Sequence, residues 1–363
     1  MTGARFPSLV SIVLLAMLAG SAQAAGAASP ATPPTATGAP RAQEWLQRMA
    51  EALATRNYRG VFEDRQGDKA LSLRIVHRVR DGAVDERIAT LDGSGREFIR
   101  RGGELFRYLP DHKLVQVEPS RDTSMLLTDL RRLDVSASGQ YALQELPPTA
   151  QNGRPVRVLR VEPRDRYRYG YQIWIDEATA MPIRTQLLGA RGEVLEQLLF
   201  TELSLPKAVP DEWLSATTDT TGFTWQRTAG VAAIPALNTR DASAWQAADL
   251  PPGFRMSVRS LQALPGSPQP VTQLVYTDGL ASVSVFVEQG TTPVSVDKGA
   301  AAAARLGSAS AYSTVVEGYR VTAVGEVPPD TLKAIAGSVM PGAGAASRGG
   351  GRRASGGLHG SRR

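Results

Sequence analysis

Residues 164–176 read RDRYRYGYQIWID, a stretch in which two kinds of side chain alternate. Every second position carries an aromatic or apolar side chain, namely Tyr167, Tyr169, Tyr171, Ile173 and Ile175. A period of two residues is typical of a β-strand that has one face on an apolar core. Arginine interleaved with aromatic residues also occurs in grooves that bind single-stranded nucleic acid. Charge and context have to decide between these two interpretations.

The distribution of charge argues against nucleic acid as a partner. The formal net charge is +6, but residues 341–363, PGAGAASRGGGRRASGGLHGSRR, contain five arginines and no acidic residue. Without this tail and Arg5, basic and acidic side chains balance, whereas phosphate contacts require a positive face. We therefore interpret 164–176 as a strand of a large antiparallel sheet with its tyrosine–isoleucine face on the core. The alternative is that this face lines an apolar ligand cavity. In the first case the Arg/Gln face is expected to meet water or neighbouring carboxylates, and in the second the arginines are expected outside or at the rim.

The first residues indicate export. Arg5 precedes the apolar run LVSIVLLAMLA at 9–19, which is too short to span a bilayer, and AQA at 22–24 is a small-x-small cleavage site. We predict a signal peptide over 1–24 that is cleaved after Ala24; an uncleaved anchor is the alternative. The sequence contains no cysteine, so an exported protein of this size must be stabilised by burial rather than by disulfides. These features predict a periplasmic protein.

Composition divides the remaining chain into two folded parts. Residues 25–41 form a leader rich in proline, alanine and threonine, and residues 341–363 form a tail that is expected to be disordered. The first domain is predicted over 42–205 and the second over 245–340. Residues 206–244 have weak periodicity and are predicted to be an interdomain linker.

Hydrophobic periodicity predicts an α+β fold for both domains. In 42–56 the apolar residues Trp45, Leu46, Met49 and Leu53 recur at helical spacing, and short alternating strands with tight turns follow. A second helix is predicted over 124–133. The second domain is predicted to contain hairpins, a short helix over 296–306 and a final helix over 331–339.

The sequence lacks the motifs of common enzyme classes. No serine has glycine two residues before and two residues after it, and neither a P-loop nor a complete dinucleotide fingerprint is present. There are three histidines, of which His359 lies in the tail, so a zinc site with three or four ligands has little support. A paired-carboxylate site stays open from sequence alone. We therefore predict a binding protein rather than an enzyme, with no cofactor and no metal.

Several longer segments resemble one family. WLQRMAEALATRNYRGVF at 45–62, DLPPGFRM at 249–256, VYTDGLASVSVFVE at 275–288 and VTAVGEVPPDTLKAIAGSV at 321–339 are similar to the RseB/MucB family. The first half also resembles the lipoprotein-carrier fold of LolA and LppX, with the segment 169–203 as its closing hairpin. This resemblance implies a half-barrel antiparallel sheet wrapped on helices around an apolar cavity, followed by a smaller α+β domain.

The resemblance implies regulation. Members of the family bind the periplasmic segment of a membrane-anchored anti-sigma factor and shield it from proteases, and lipid or lipopolysaccharide signals relieve this hold. Ligand-binding residues are predicted in the first domain: Leu73, Ile75, Phe106, Tyr167, Tyr169, Tyr171 and Ile173. A lipid or lipoprotein carrier is the alternative function, and a periplasmic hydrolase is a third, weaker one. Whether the chain forms homo-oligomers stays open.

A short turn in the second domain is the predicted partner-binding site. It consists of Tyr276, Thr277, Asp278, Gly279 and Leu280. Turns presented by rigid strands are common recognition elements. The alternative is that Asp278 and Gly279 serve only to form the turn.

Overall fold

The computed structural model describes residues 39–120, 139–227, 245–262, 270–289 and 302–341. The predicted signal peptide, most of the leader, the helix expected over 124–133 and nearly all of the basic tail lie outside the described residues. In the described part of the chain, no helix is both long enough and apolar enough to cross a membrane.

In the part of the chain that the structure describes, the N-terminal domain is a twelve-stranded sheet that packs on helix α1 (Ala39–Thr55). The strands follow the order β12-β6-β5-β4-β3-β2-β1-β11-β10-β9-β8-β7. All neighbours are antiparallel except β12, which runs parallel to β6. Their bounds are β1 (Tyr58–Gln66), β2 (Lys69–Arg80), β3 (Ala83–Thr90), β4 (Glu97–Arg101), β5 (Glu104–Leu109), β6 (Leu114–Pro119), β7 (Tyr141–Gln151), β8 (Arg154–Pro163), β9 (Gly170–Asp176), β10 (Pro182–Leu188), β11 (Val194–Ser204) and β12 (Thr224–Arg227). A 3-10 turn (Pro110–His112) joins β5 to β6.

Helix α1 packs its apolar side against one face of this sheet. Leu46, Met49 and Leu53 are at most 2% exposed and share a core with residues from the centre of the sheet. The helical spacing of these residues in the sequence therefore reflects core packing, as predicted.

The opposite face of the sheet is covered by residues 206–227. This segment contains the short helix α2 (Asp211–Leu214) and β12. Leu214 packs against Val76, and Phe223 packs beside Phe106 and Tyr108. This part of the predicted interdomain linker therefore belongs to the N-terminal domain, because it buries apolar side chains on the second face of the sheet. Residues 228–244 lie outside the described residues.

The C-terminal domain is a six-stranded antiparallel sheet with the order β14-β15-β16-β19-β18-β17. A helix packs on it, and a two-stranded pair, β13 with β20, lies beside it. The elements are β13 (Trp245–Ala247), β14 (Arg255–Gln262), β15 (Val271–Thr277), β16 (Ser282–Gln289), β17 (Ala302–Leu306), β18 (Ala309–Val316), β19 (Tyr319–Gly325), α3 (Pro329–Gly337) and β20 (Val339–Pro341).

The predicted α+β class and the two-part architecture are confirmed. One local prediction fails, because residues 302–306, expected to end a short helix, form β17 and pair with β18 across the turn at Gly307 and Ser308. The alanine-rich sequence favours a helix locally. The hydrogen bonds that a neighbouring strand offers outweigh this preference in the folded protein.

We expect Leu53→Ala to lower the free energy of unfolding by about 2–5 kcal/mol, because it leaves a cavity between α1 and the sheet. Leu53 is 0% exposed. The matched control is Leu91→Ala at a position that is 42% exposed, where a change below about 0.5 kcal/mol is expected. Urea unfolding of both variants measures the difference. Equal stabilities would show that α1 is not part of the cooperative core.

Candidate functional site

The stretch 164–176 divides into a turn and a strand. Strand β9 begins only at Gly170, later than the alternation predicts. Ile173 and Ile175 are 0% exposed in the core under α1, and Tyr171 packs against that core, so the core interpretation of this face is confirmed for the strand. One of the arginines meets carboxylates, as the core interpretation expects, but at a position closed to solvent. The side chain of Arg168 is 0% exposed, because the C-terminal domain covers it.

Arg168 contacts both domains. Its Nε donates to Asp278 Oδ2 of the C-terminal domain at 2.5 Å, and its terminal nitrogens donate to the Asp165 carboxylate and to the Pro252 carbonyl. Burial opposes the charge of this guanidinium, but the hydrogen bonds to Asp278 and Asp165 outweigh it and raise the pKa of Arg168. The positive charge is therefore held permanently between the domains.

The guanidinium also lies over two aromatic rings. Its central carbon is 5.7 Å from the ring centroid of Tyr141 in the N-terminal domain and 5.0 Å from that of Phe254 in the C-terminal domain. Such cation–π contacts are stronger where water is excluded. Both domains thus enclose the same cation.

Asp278 is the matching anion. Besides Arg168, its Oδ2 accepts a hydrogen bond from Tyr141 Oη at 2.9 Å, and its Oδ1 accepts from the amides of Leu280 at 2.9 Å and Ala281 at 2.7 Å. Burial and the negative charge of Asp278 raise the pKa of Tyr141, so this hydroxyl remains a donor. The side chain of Asp278 is 0% exposed, and four donors offset the cost of its burial.

The turn that carries Asp278 projects into the N-terminal domain. Thr277 Oγ1 donates to the Ala281 carbonyl at 2.8 Å and accepts from the Gly279 amide at 3.0 Å. Gly279 has φ +105°, which a residue with a side chain rarely adopts. Leu280 follows and is 2% exposed, and it belongs to the core formed by α1 and the large sheet.

Three segments of the C-terminal domain meet at residues 164–168. The segment 249–254 supplies the Pro252 carbonyl and the Phe254 ring, and the turn 276–280 supplies Asp278. Helix α3 supplies Thr331, whose hydroxyl donates to the Tyr167 carbonyl at 2.8 Å. The segments that look most family-like in the C-terminal sequence therefore build the contact between the domains. We call the Arg168–Asp278 pair with Tyr141 the interdomain anchor.

The structure places the predicted partner-binding residues at this anchor. Tyr276 lies in the C-terminal core, and its Oη accepts a hydrogen bond from the Ala247 amide at 2.7 Å. Asp278 and Leu280 face the N-terminal domain. Thr277 is half-buried and Gly279 is exposed. With the domains in contact, a partner reaches this turn mainly through Thr277 and Gly279, and partner binding there stays a prediction.

The predicted ligand-binding residues are only partly brought together. Leu73, Ile75, Tyr171 and Ile173 lie on the sheet face that α1 covers. Phe106 is on the opposite face, beside Phe223, because the neighbouring Leu105 points toward α1 instead. Tyr167 is half-buried next to α3, and Tyr169 is buried. A single cavity that contains all seven side chains is therefore not the observed arrangement; ligand binding by the first four stays a prediction.

A buried polar row crosses the α1 side of the sheet. Tyr58, His77, Glu86 and Arg100 occupy paired positions on β1 to β4 and are at most 2% exposed. The Tyr58 and His77 rings are stacked at 4.4 Å, and His77 Nδ1 is 3.3 Å from Glu86 Oε1. Among the described residues, no group of three or more histidine, aspartate or glutamate side chains is arranged to hold a metal ion.

Removal of the charge at the anchor should separate the domains. Asp278→Asn leaves the buried Arg168 guanidinium with a weaker partner, and breaking a buried ion pair typically costs about 3–5 kcal/mol. The lack of native cysteines allows spin labels at two exposed sites, Arg74→Cys and Val315→Cys. Distance measurement by electron spin resonance should show a longer mean distance between the two labels and a broader distance distribution. The control is the exposed Arg166→Ala, and an unchanged distance in Asp278→Asn would contradict the anchor.

Two domain families match the chain in the order in which the domains occur. The MucB/RseB N-terminal domain matches residues 41–218, and the MucB/RseB C-terminal domain matches residues 239–340. The first match extends beyond residue 205, in agreement with the packing of α2 on the large sheet.

Named relatives and solved structures agree with these matches. The chain is 33% identical over 312 residues to the sigma factor AlgU regulatory protein MucB of Pseudomonas aeruginosa, covering 84% of this chain and 93% of MucB. It is 29% identical over 322 residues to the sigma-E factor regulatory protein RseB of Escherichia coli, covering 85% and 93%. One similar solved structure is the P. aeruginosa MucA/MucB complex, with a TM-score of 0.63 and 30% identity, covering 84% of this chain and 99% of that chain. Another is MucB in complex with MucA(peri), with a TM-score of 0.63 and 31% identity, covering 83% of this chain and 99% of that chain. The chain therefore belongs to the MucB/RseB family, whose named members are sigma factor regulatory proteins and not enzymes.

Proposed function

We propose that this chain regulates a sigma factor from the periplasm by binding the periplasmic segment of an anti-sigma factor and shielding it from proteolysis. One observation carries the proposal: both family domains are present in order, and the fold matches MucB chains that were solved together with MucA. The short apolar run and AQA site at the start of the sequence support the location.

The interdomain anchor gives this function a defined geometry. A flexible peptide loses conformational entropy when it binds, so a surface whose parts are already fixed relative to one another binds it more tightly. Arg168, Asp278 and Tyr141 fix the C-terminal sheet against the N-terminal domain through hydrogen bonds of 2.5 and 2.9 Å. Of the turn, Thr277 and Gly279 stay accessible at the boundary between the domains. We infer that the segment binds across this boundary while the anchor is closed.

Calorimetric titration with the periplasmic segment of the anti-sigma factor encoded nearest to this chain tests the proposal. We expect a saturable complex, and slower cleavage of the segment by an added protease when the chain is present. A scrambled segment of the same composition is the control. Absence of binding heat together with unchanged cleavage would refute the proposed function.

The lipid part of the proposal concerns the N-terminal domain. Leu73, Ile75, Tyr171 and Ile173 form an apolar surface that α1 covers. A ligand chain that reached this surface would have to displace side chains of α1, and burial of its methylenes would supply about 0.8 kcal/mol each. We infer that lipid or lipopolysaccharide acts by competing with α1 for the sheet. The carrier alternative has less support, because it gives the anchored C-terminal domain no role.

We expect Tyr171→Ala to weaken binding of a fluorescent fatty-acid probe at least tenfold, because the half-buried ring lies at the edge of the surface that α1 covers. Val194→Ala, at a position that is 47% exposed, is the control for nonspecific adsorption of the probe. Melting curves of the same variants separate loss of binding from loss of folding. Full probe affinity in a folded Tyr171→Ala variant would show that this strand contributes to folding and not to ligand binding.

A further inference from the structure

A second contact between the domains brings acidic side chains together. Asp64 on β1 and Glu196 on β11 are 5% and 8% exposed, and Glu326, which follows β19, approaches them from the C-terminal domain. Ser308 Oγ, in the turn between β17 and β18, donates to Glu326 Oε1 at 2.7 Å. We call Asp64, Glu196 and Glu326 the carboxyl cluster.

The turn from the C-terminal domain sits directly on the end of β1. A Cβ atom added to Gly307 would lie 1.9 Å from Gln66 Oε1, so the turn touches this side chain, and the φ of +70° at Gly307 favours glycine there. The Gln66 amide also donates to Asp64 Oδ2 at 3.4 Å. The carboxyl cluster is therefore closed by contact between the two domains.

Among the side chains that the structure describes, no cation pairs with the two buried members of the cluster. Besides burial, the described charges that act on Asp64 and Glu196 are those of the cluster itself. Asp64 Oδ1 and Glu196 Oε2 are buried without a hydrogen-bond partner. The residues that face this pair from β2 and β10 are uncharged or exposed: Leu71, Thr185, Leu187 and the exposed Lys69. The remaining charged side chains of β1 nearby, Glu63 and Arg65, pair with each other at 2.8 Å.

Buried carboxylates without compensating cations are unfavourable, whereas protonated carboxyl groups are tolerated. We propose that the carboxyl cluster makes docking of the two domains depend on proton binding: the docked form holds at least one proton on Asp64 or Glu196, and loss of that proton releases the Gly307–Ser308 turn from β1. This device acts on the arrangement of the domains and does not require a bound partner.

The direction of the pH dependence follows from the environment of each group. Burial, and next the charge of Glu326, raise the pKa of Asp64 to about 7. Burial, Glu326 and Asp64 raise the pKa of Glu196 well above its usual range. Separation of the domains removes Glu326 and exposes both groups, so the docked form binds more protons than the separated form. Docking is therefore fully favourable in acid and weakens as the pH rises through about 7.

The anchor provides a fixed point while the cluster opens. Arg168 keeps its charge across this pH range, because its pKa is raised and guanidinium groups do not titrate near neutrality. The turn at Gly307 and Ser308 belongs to a different hairpin from the one that carries Asp278. Opening at the cluster can therefore tilt the C-terminal sheet without dissolving the anchor.

The test uses the purified chain with spin labels at Arg74→Cys and Val315→Cys, measured from pH 5 to pH 8. We expect the ratio of docked to open distances to fall by about tenfold to hundredfold over this range, since a group with a raised pKa loses its proton there. Asp64→Asn with Glu196→Gln mimics the protonated cluster and should stay docked at every pH. Glu202→Gln is the matched control, because it makes the same change on β11 at an exposed position.

Three outcomes would overturn the proposal. The first is a distance distribution in the unmodified cluster that does not change between pH 5 and pH 8. The second is an undiminished pH dependence in the double variant, or in Glu196→Gln alone if the double variant does not fold. The third is loss of docking at pH 5 when EDTA removes divalent cations, which would identify a cation site instead of a proton site.

Discussion

The buried pair between Arg168 and Asp278 constrains how the two domains can meet. A guanidinium that is completely removed from water is tolerated only if its donors find acceptors and its charge finds a counter-charge. Asp278, Asp165 and the Pro252 carbonyl supply these, and they come from three separate segments of the chain. None of the three can move independently without leaving a buried charge unsatisfied. This requirement restricts the relative position of the two domains.

Much of the fold could be predicted because the signals for it are local. Leu46, Met49 and Leu53 repeat at helical spacing, and Ile173 and Ile175 alternate at strand spacing, so both were correctly assigned to a core. The position of Arg168 could not be predicted in this way, because its partner lies 110 residues further along the chain. Alternation along 164–176 assigns Arg168 to the face that meets water or neighbouring carboxylates, but it cannot identify a carboxylate of the second domain as the partner. The segments that cover Arg168 contain a Pro-Pro-Gly turn and an Asp-Gly turn. These two turns are the sequence signal that could have indicated the contact.

The error at Phe106 has a different origin. Leu105 and Phe106 are adjacent apolar residues, and a strand can direct only one of them toward α1. The register with β4 and β6 places Leu105 on the α1 side and Phe106 on the opposite side. Residues 206–227 are needed to cover Phe106 and Val76 on the other face, which explains why a segment with weak periodicity is nevertheless part of the domain. A sheet with two buried faces therefore cannot be assigned from the apolar positions of one strand alone.

The core of the N-terminal domain is in direct contact with the turn that carries Asp278. Leu280 packs in the same core as Leu53 and Ile173, and it follows Gly279, the exposed tip of the turn, directly in sequence. An apolar chain that displaced α1 from the sheet would therefore disturb the packing of Leu280. Because Asp278 accepts hydrogen bonds from the Leu280 and Ala281 amides, a shift of Leu280 also changes the geometry of the anchor. The core under α1 and the interdomain anchor are thus linked through contacts that span five residues of one turn.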